Sequence, residues 1–417
     1  MKHLSHIAIA CLAIVCFLCC SSSLDAQVPN WPQFRGTTGD GQAVDAVLPL
    51  KIDDSNIKWK TPIHGKGWSS PVVWGDQIWL TTATEDGTKM SVLCIDRSSG
   101  TVLIDKVLIE NKEPAFCHAM NSYATPTPVI EDGRIYVHFG SYLTACLNTK
   151  DASLIWQRKD LECDHYRGPA SSPIIEAGKL FVAYDGFDVQ YVVALDKNTG
   201  KTIWKRDRDI DYGTDNGDRM KAYCTAHVIE IKGRKELIYP SAGATIAYDL
   251  ESGAPLWTAY HGGMNASARP IFHNGLLFIT NGMGQMVAVR PGGSGDVTDT
   301  HVEWQEKKAI AKKTSQLIVK DHLYMISDDG IATCREPKTG KLIWKVRVDG
   351  DYAASPIFAS EHIYFFSREG KISVIQPSKT YTLVSESNLG DGFMASPAVV
   401  GNKMYLRSKT HLYCVGG

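Results

Sequence analysis

A short pattern of apolar and polar positions recurs along the chain: a small apolar residue, an apolar residue and a polar one, followed by Gly four and Trp eight positions after the polar residue. The clearest copies are Ala194-Leu195-Asp196 with Gly200 and Trp204, and Ala247-Tyr248-Asp249 with Gly253 and Trp257. Cys94-Ile95-Asp96 with Gly100 and Ile104, Cys146-Leu147-Asn148 with Trp156, and Cys334-Arg335-Glu336 with Gly340 and Trp344 follow the same plan. Ala288-Val289-Arg290 reaches Trp304 through a longer loop, Val374-Ile375-Gln376 reaches Val384, and Cys414-Val415-Gly416 ends the chain, which makes eight copies. A second column precedes them: Ser70-Pro71, Thr127-Pro128, Ser172-Pro173, Thr225-Ala226, Arg269-Pro270, Gln316-Leu317, Ser355-Pro356 and Ser396-Pro397. After each comes an apolar run, usually a turn, then a strand-like run such as Gln77-Ile78-Trp79-Leu80 or His362-Ile363-Tyr364-Phe365. Each unit therefore reads as about four strands joined by turns.

Such a unit buries its apolar face only against neighbouring copies. The predicted fold is all-β, an eight-bladed propeller of four-stranded antiparallel blades. The final strand, His411-Leu412-Tyr413-Cys414, lacks a following Trp strand, whereas Asn56-Ile57-Lys58-Trp59-Lys60 is a Trp strand without a preceding unit. The N-terminal strand is expected to complete the last blade, which removes two open sheet edges.

Ahead of the propeller, Lys2, the apolar stretch from Ile7 to Cys20 and the small residue Ala26 predict a secretory signal over residues 1–26. The stretch is short for a membrane span of about 20 residues, so the product is expected to be exported, to the periplasm or the exterior. Lipidation at Cys19 or Cys20 is the lesser alternative, since Cys16-Phe17-Leu18 is bulkier than a lipobox. Residues 27–55 form an N-terminal extension and residues 56–417 the propeller. With 44 Lys+Arg against 45 Asp+Glu, a net charge of −1 and no basic stripe, nucleic acid is not an expected partner. The locally basic run from Glu306 to Lys313 reads as a solvated edge, with steering of acidic ligands as the minor reading.

The pattern carried by Ala194, Asp196, Thr199, Gly200 and Trp204 resembles the repeat of pyrroloquinoline-quinone (PQQ) type propellers. Trp31-Pro32-Gln33-Phe34-Arg35-Gly36 and Ala288-Val289-Arg290-Pro291-Gly292-Gly293 resemble the exported bacterial proteins labelled BamB-like. The resemblance implies two kinds of function. Quinoprotein dehydrogenases carry PQQ and calcium, while BamB-type scaffolds carry neither and bind proteins; fold alone does not choose between them. The adjacent cysteines that such dehydrogenases set against the quinone have their one counterpart at Cys19-Cys20, inside the signal. A binding propeller, expected to be monomeric, is the favoured reading, and a PQQ- and calcium-dependent oxidoreductase is the alternative.

Cys94, Cys146, Cys334 and Cys414 share a column with Ala194, Ala247, Ala288 and Val374 and read as small buried fillers. Cys117, Cys163 and Cys224 lie outside it, so one disulfide among them is open in an oxidising compartment. The Trp column reads as wedges between blades, because a ligand site needs distinctive residues in one place. Those lie in the connections from each Trp strand to the next Ser-Pro strand, which in the resembling propellers gather around a central funnel. The candidates are Trp68; His118, Asn121 and Tyr123; His165, Tyr166 and Arg167; Arg219, Lys221 and Tyr223; His261 and Asn265; Arg269; and Tyr352. Aromatic faces, donors and cations together suit a protein, a peptide, or a polar or anionic small molecule or glycan. In the oxygen-rich loop from Asp207 to Asp218, Asp215 and Asp218 are candidate calcium ligands, although the spacing is not that of an EF-hand.

Overall fold

Residues 30–417 are described by the structure, a computed structural model. The expected signal at residues 1–26 lies outside them. Eight sheets form, one for each repeat, and in each four strands run antiparallel from an inner strand at the Ser-Pro column to an outer strand at the Trp column, with a short parallel strand added at the edge of two of them. Blade 3 shows the plan, with strands Ile174–Glu176, Lys179–Asp185, Gln190–Asp196 and Thr202–Asp207. Blade 1 begins at Val72 and blade 8 at Ala398. The ring closes as expected: Ile57–Pro62 pairs antiparallel with His411–Gly416, with Trp59 opposite Cys414.

The small-residue column has a direct cause. In every blade the third and fourth strands slip register beside it, a bulge that bends the outer strand. The small residue then faces the indole: Cys146 opposite Trp156, Ala194 opposite Trp204, Ala288 opposite Trp304 and Cys334 opposite Trp344. Cys94, Cys146, Cys334 and Cys414 are buried fillers here, and burial pushes the Cys94 and Cys146 thiols up to about 12.

Most of these indoles also reach the following blade, although Trp257 donates instead to Glu236 Oε2 of its own blade at 2.8 Å. Trp59, Trp156, Trp204 and Trp304 donate from Nε1 to the carbonyls of Arg97, Lys197, Leu250 and Pro337, at 3.2, 2.8, 3.2 and 2.9 Å. Over the same rings lie Gly100, Gly200, Gly253 and Gly340, all with positive φ. A Cβ at Gly200 would sit 2.6 Å from Trp156, so glycine is required both by the left-handed backbone and by the ring.

At the inner end, hydroxyls knit the blades together. The backbone N–H groups of Ser70, Thr127 and Ser172 donate to the hydroxyls of Thr127, Ser172 and Thr225 at 2.9, 3.0 and 3.2 Å. Those of Arg269, Ser315 and Ser355 donate to Ser315, Ser355 and Ser396 at 3.0, 2.9 and 2.9 Å. Blade 6 therefore enters the column at Ser315-Gln316, one residue earlier than the expected Gln316-Leu317, because the hydroxyl is the group in use.

The N-terminal extension belongs to the ring. Trp31 exchanges backbone hydrogen bonds with Val73 of blade 1 at 2.9 Å. Buried Arg35 donates to the carbonyls of Gln316 and Pro356 at 2.9 and 3.1 Å, tying down blades 6 and 7. Gln42–Ala43 then adds a parallel strand beside Ile357–Ala359 of blade 7.

These wedges predict a large penalty for removing one. Trp204→Ala should lower the stability by about 3 to 5 kcal/mol in urea denaturation, through lost burial and the cavity left under Gly253. A loss below about 1 kcal/mol would contradict the wedge role.

Candidate functional site

The connections between outer and inner strands gather at one end of the ring around a funnel with a cavity of about 460 Å³. Its lower wall is the hydroxyl belt, with Ser70, Thr127, Ser172, Thr225, Ser355 and Ser396 facing the space. Phe34 of the extension lines it too, at the end we call its floor. Two buried guanidiniums hold this floor. Arg269 donates to the Phe34 carbonyl at 2.7 Å and to Gln33 Oε1 at 3.2 Å. Arg35 uses backbone carbonyls alone. Burial, followed for Arg269 by the neighbouring Arg35, lowers Arg269 to about 9, and burial lowers Arg35 to about 10. Both remain charged at neutral pH, with the nearby Asp40 carboxylate favouring that charge.

The expected loops supply the wall. Trp68, His118, Asn121, Arg167, Tyr223 and Asn265 all line the funnel. Trp68 Nε1 donates to the Met120 carbonyl at 3.2 Å, and the His118 ring accepts the Met120 N–H through Nδ1 at 3.1 Å. Asn121 Nδ2 donates to the Arg167 carbonyl at 2.9 Å and binds two loops together. Arg167 forms a two-point ion pair with Asp218, at 3.1 and 2.9 Å, and Lys221 pairs with the same carboxylate. Burial works against the Asp218 charge, but the hydrogen bonds from Lys221 and Arg167 hold its pKa below the ordinary carboxylate value. Tyr223 Oη and Asn265 Oδ1 are buried without a partner, leaving a donor and an acceptor to spend.

Other candidates sit elsewhere. Lys221 is buried beneath the wall, stacked 5.0 Å from the Tyr166 ring. Tyr123 is buried and donates to the Ala115 carbonyl at 2.7 Å. Tyr352 is buried and donates to the Asp349 carbonyl at 3.0 Å. His261 is buried between Thr245 Oγ1 and its neighbour's carbonyl, at 3.0 and 2.9 Å. Arg269 is in the floor, and exposed Arg219 lines a separate hollow with Asp211 and Tyr260. His165 and Tyr166, neighbours of Arg167 in sequence, turn away into a hollow on the outer side of the rim.

The Asp207 to Asp218 loop is anchored by the buried Arg208–Asp185 pair, at 2.8 and 2.6 Å. Within it Asp215 is exposed, and Asp218 already carries two cations. Among the described residues no group of three or more His, Cys, Asp and Glu is placed to hold a metal ion. The disulfide left open for Cys117, Cys163 and Cys224 does not form. Cys117 lies against the Arg167 carbonyl, Cys163 against His165, and Cys224 against the Ala268 carbonyl.

Several lining residues were not among the candidates: Phe34, Met120, Met394, Lys312 and Lys313. The two lysines end the run expected to be a solvated edge; they are exposed, as that reading has it, and they also stand on the funnel wall, where the basic composition of the run was the signal. Lys313 pairs with Asp328, whereas Lys312 has no ion pair among the described residues. No Asp or Glu lines the funnel.

A family model described as outer membrane protein assembly factor BamB matches residues 53–290, 125–346 and 190–416. The chain is similar to outer membrane protein assembly factor BamB of Yersinia pestis, 22% identical over 72% of this chain and 76% of that protein. A shorter stretch resembles methanol dehydrogenase [cytochrome c] subunit 1 of Methylobacterium organophilum, 27% identical over 32% of this chain and 23% of that one. A europium-containing methanol dehydrogenase has a similar fold, with a TM-score of 0.72 at 10% identity, over 93% of this chain and 98% of that chain.

Buried neutral imidazoles give this region a pH dependence. Burial lowers His138 to about 3 and His261 to about 4, from an ordinary 6.5. Below about pH 6.5 the unfolded chain binds protons at these rings and the folded chain does not, so stability present at neutral pH is lost as pH falls. Urea denaturation should lose about 2 kcal/mol for each ring between about pH 7 and pH 5, the slope approaching about 1.4 kcal/mol per pH unit only below about pH 6. His261→Gln should remove its share of that slope; an unchanged slope would show that His261 is not held neutral.

Proposed function

The chain belongs to the PQQ-repeat propeller family of the outer membrane protein assembly factor BamB, and from that premise we propose that it is an exported, non-catalytic binding propeller. Its funnel receives an anionic group of a partner protein, peptide or polar ligand. The observation that carries this reading is the charge of the wall. Arg167, Lys312 and Lys313 line the cavity and no carboxylate does, above a floor built on Arg35 and Arg269. Low-dielectric walls of one sign focus the field and draw in the opposite charge. Trp68 and Phe34 add apolar faces, and Tyr223 Oη and Asn265 Oδ1 add unspent hydrogen-bonding capacity. Export rests on the expected signal at residues 1–26.

A second reading, a PQQ- and calcium-dependent oxidoreductase, is favoured by the likeness to methanol dehydrogenases. The residues present do not fit calcium, a hard cation that takes 6–8 oxygen ligands, commonly carboxylates. The lining offers hydroxyls and amides beside three cations. It also lacks a carboxylate to serve as base.

Calorimetric titration of the full chain with acetylated, amidated hexaglutamate should give saturable, salt-sensitive binding. Lys312→Glu should weaken it at least tenfold while leaving the melting temperature unchanged. A parallel titration with PQQ, with and without calcium, decides between the readings. Saturable calcium-dependent binding with dye reduction by an alcohol would overturn the binding-module reading.

A further inference from the structure

On the outer side of the rim, three aromatic side chains stand in solvent: Phe116 is 60% exposed, Tyr166 41% and Phe187 40%. They form a row, with ring centroids 5.9 Å apart from Phe116 to Tyr166 and 5.3 Å from Tyr166 to Phe187. Single exposed apolar residues are ordinary on a soluble surface, but touching aromatic rings form a patch that marks an interaction site. The loop is shaped to present them. Tyr166 adopts φ +54, a left-handed conformation unusual for a bulky residue. Asp164 Oδ1 accepts the Tyr166 N–H at 2.7 Å, and the Asp164 carbonyl accepts the Phe187 N–H at 2.7 Å.

The ridge borders a hollow of about 360 Å³ whose wall includes Phe116, Tyr142 and Tyr166 with Glu162, Asp164 and Asp188. No Lys or Arg lines it, and burial lowers the pKa of His165, also in the wall, to about 4, so the ring is neutral. Asp164 and Asp188 each spend one oxygen on backbone N–H groups. Their second oxygens, and both of Glu162, have no hydrogen-bond partner among the described residues. The hollow therefore offers carboxylates beside the Phe116 and Tyr142 rings, the pairing that holds a cation with an apolar stem, while the Tyr166 ring already meets Lys221 and Arg167 at 5.0 and 5.8 Å. Its charge is opposite to that of the funnel wall a few residues away, where Arg167 lies.

We propose that the Phe116–Tyr166–Phe187 ridge docks a basic segment of a partner protein, with an arginine or lysine seated in the hollow among Glu162, Asp164 and Asp188. The aromatic row extends the contact beyond one side chain, which suits a peptide segment rather than a free cation. This site is independent of what the funnel binds.

The test is calorimetric titration of the full chain with the acetylated, amidated peptide Gly-Ser-Arg-Leu-Arg-Ser-Gly and its glutamate counterpart. Saturable binding of the arginine peptide alone is expected. Glu162→Gln with Asp188→Asn should weaken it at least tenfold, since asparagine keeps the Oδ1 that accepts the Asp164 and Val189 N–H groups. Phe116→Ala should weaken it several-fold, and Lys312→Glu, in the funnel wall, should leave it unchanged. If the double variant fails to fold, Glu162→Gln alone, at an exposed position, should still show a loss. Equal affinity for the two peptides, or no saturation at millimolar peptide, would overturn the proposal. So would displacement of the arginine peptide by chitotriose, which would make the ridge a glycan platform.

Discussion

The contact on which the ring depends is an indole lying under a glycine turn of the next blade. It is made repeatedly, by Trp59 under Gly100, Trp156 under Gly200, Trp204 under Gly253 and Trp304 under Gly340. Each contact needs a small residue opposite the indole, a bulge to tilt the strand, and a glycine to admit the ring. No blade can satisfy these needs alone, because its Trp and the glycine that covers it belong to different units. A circular arrangement follows, and it is complete only when Trp59, from the start of the chain, pairs beside Cys414 at its end. Closure thereby couples the two ends of the chain and leaves no unpaired outer edge at the seam.

Fixing the outer ends of the blades leaves the inner ends to define the funnel. There the bond between blades is a hydroxyl accepting the preceding blade's N–H, which demands only a small side chain and keeps the channel open. The extension reaches this channel as well, with Phe34 among the residues that line it. Arg35 and Arg269 make its floor with neutral acceptors in place of carboxylates. A carboxylate partner would have stabilised them more cheaply, since burial of an unpaired guanidinium is costly. The arrangement leaves them without a direct carboxylate partner, although the Asp40 carboxylate nearby favours the charge of both.

The repeat was legible because the wedge imposes residue types at fixed spacing. Trp, Gly and the small column are read directly, and the cysteines in that column follow as fillers. The seam was legible for the same reason. Register at blade 6 was not, because Gln316-Leu317 matches the apolar outline of a Ser-Pro pair while the working hydroxyl is Ser315. In the site, Trp68, His118, Asn121, Arg167, Tyr223 and Asn265 do meet, since connections at one end of a ring must converge. What sequence could not supply was direction. His165, Tyr166 and Arg167 are consecutive, and the positive φ at Tyr166 sends Arg167 to the funnel and its two predecessors outward. His261 and Tyr352 occupy the right loops but are consumed by packing. Phe34 was out of reach because nothing local indicates that a segment about 230 residues before Arg269 will lie against it.

The loop that separates the two surfaces also explains how a chain with a net charge of −1 can carry strong local fields. Asp218 binds Arg167 and Lys221 from behind the funnel wall, so the cations are held in place without a carboxylate entering the cavity. Across Tyr166, Asp164 spends an oxygen on holding the turn and presents the other beside Asp188 and Glu162. The same turn thus sorts positive charge inward and negative charge outward over a few residues. At about 0.15 M salt the Debye length is about 8 Å, so charges mixed over that distance would screen one another. Sorting them onto opposite sides of an aromatic rim, one side enclosed by low-dielectric walls, preserves both fields at short range. A partner bearing an acidic group and a basic segment could then be bound in only one orientation.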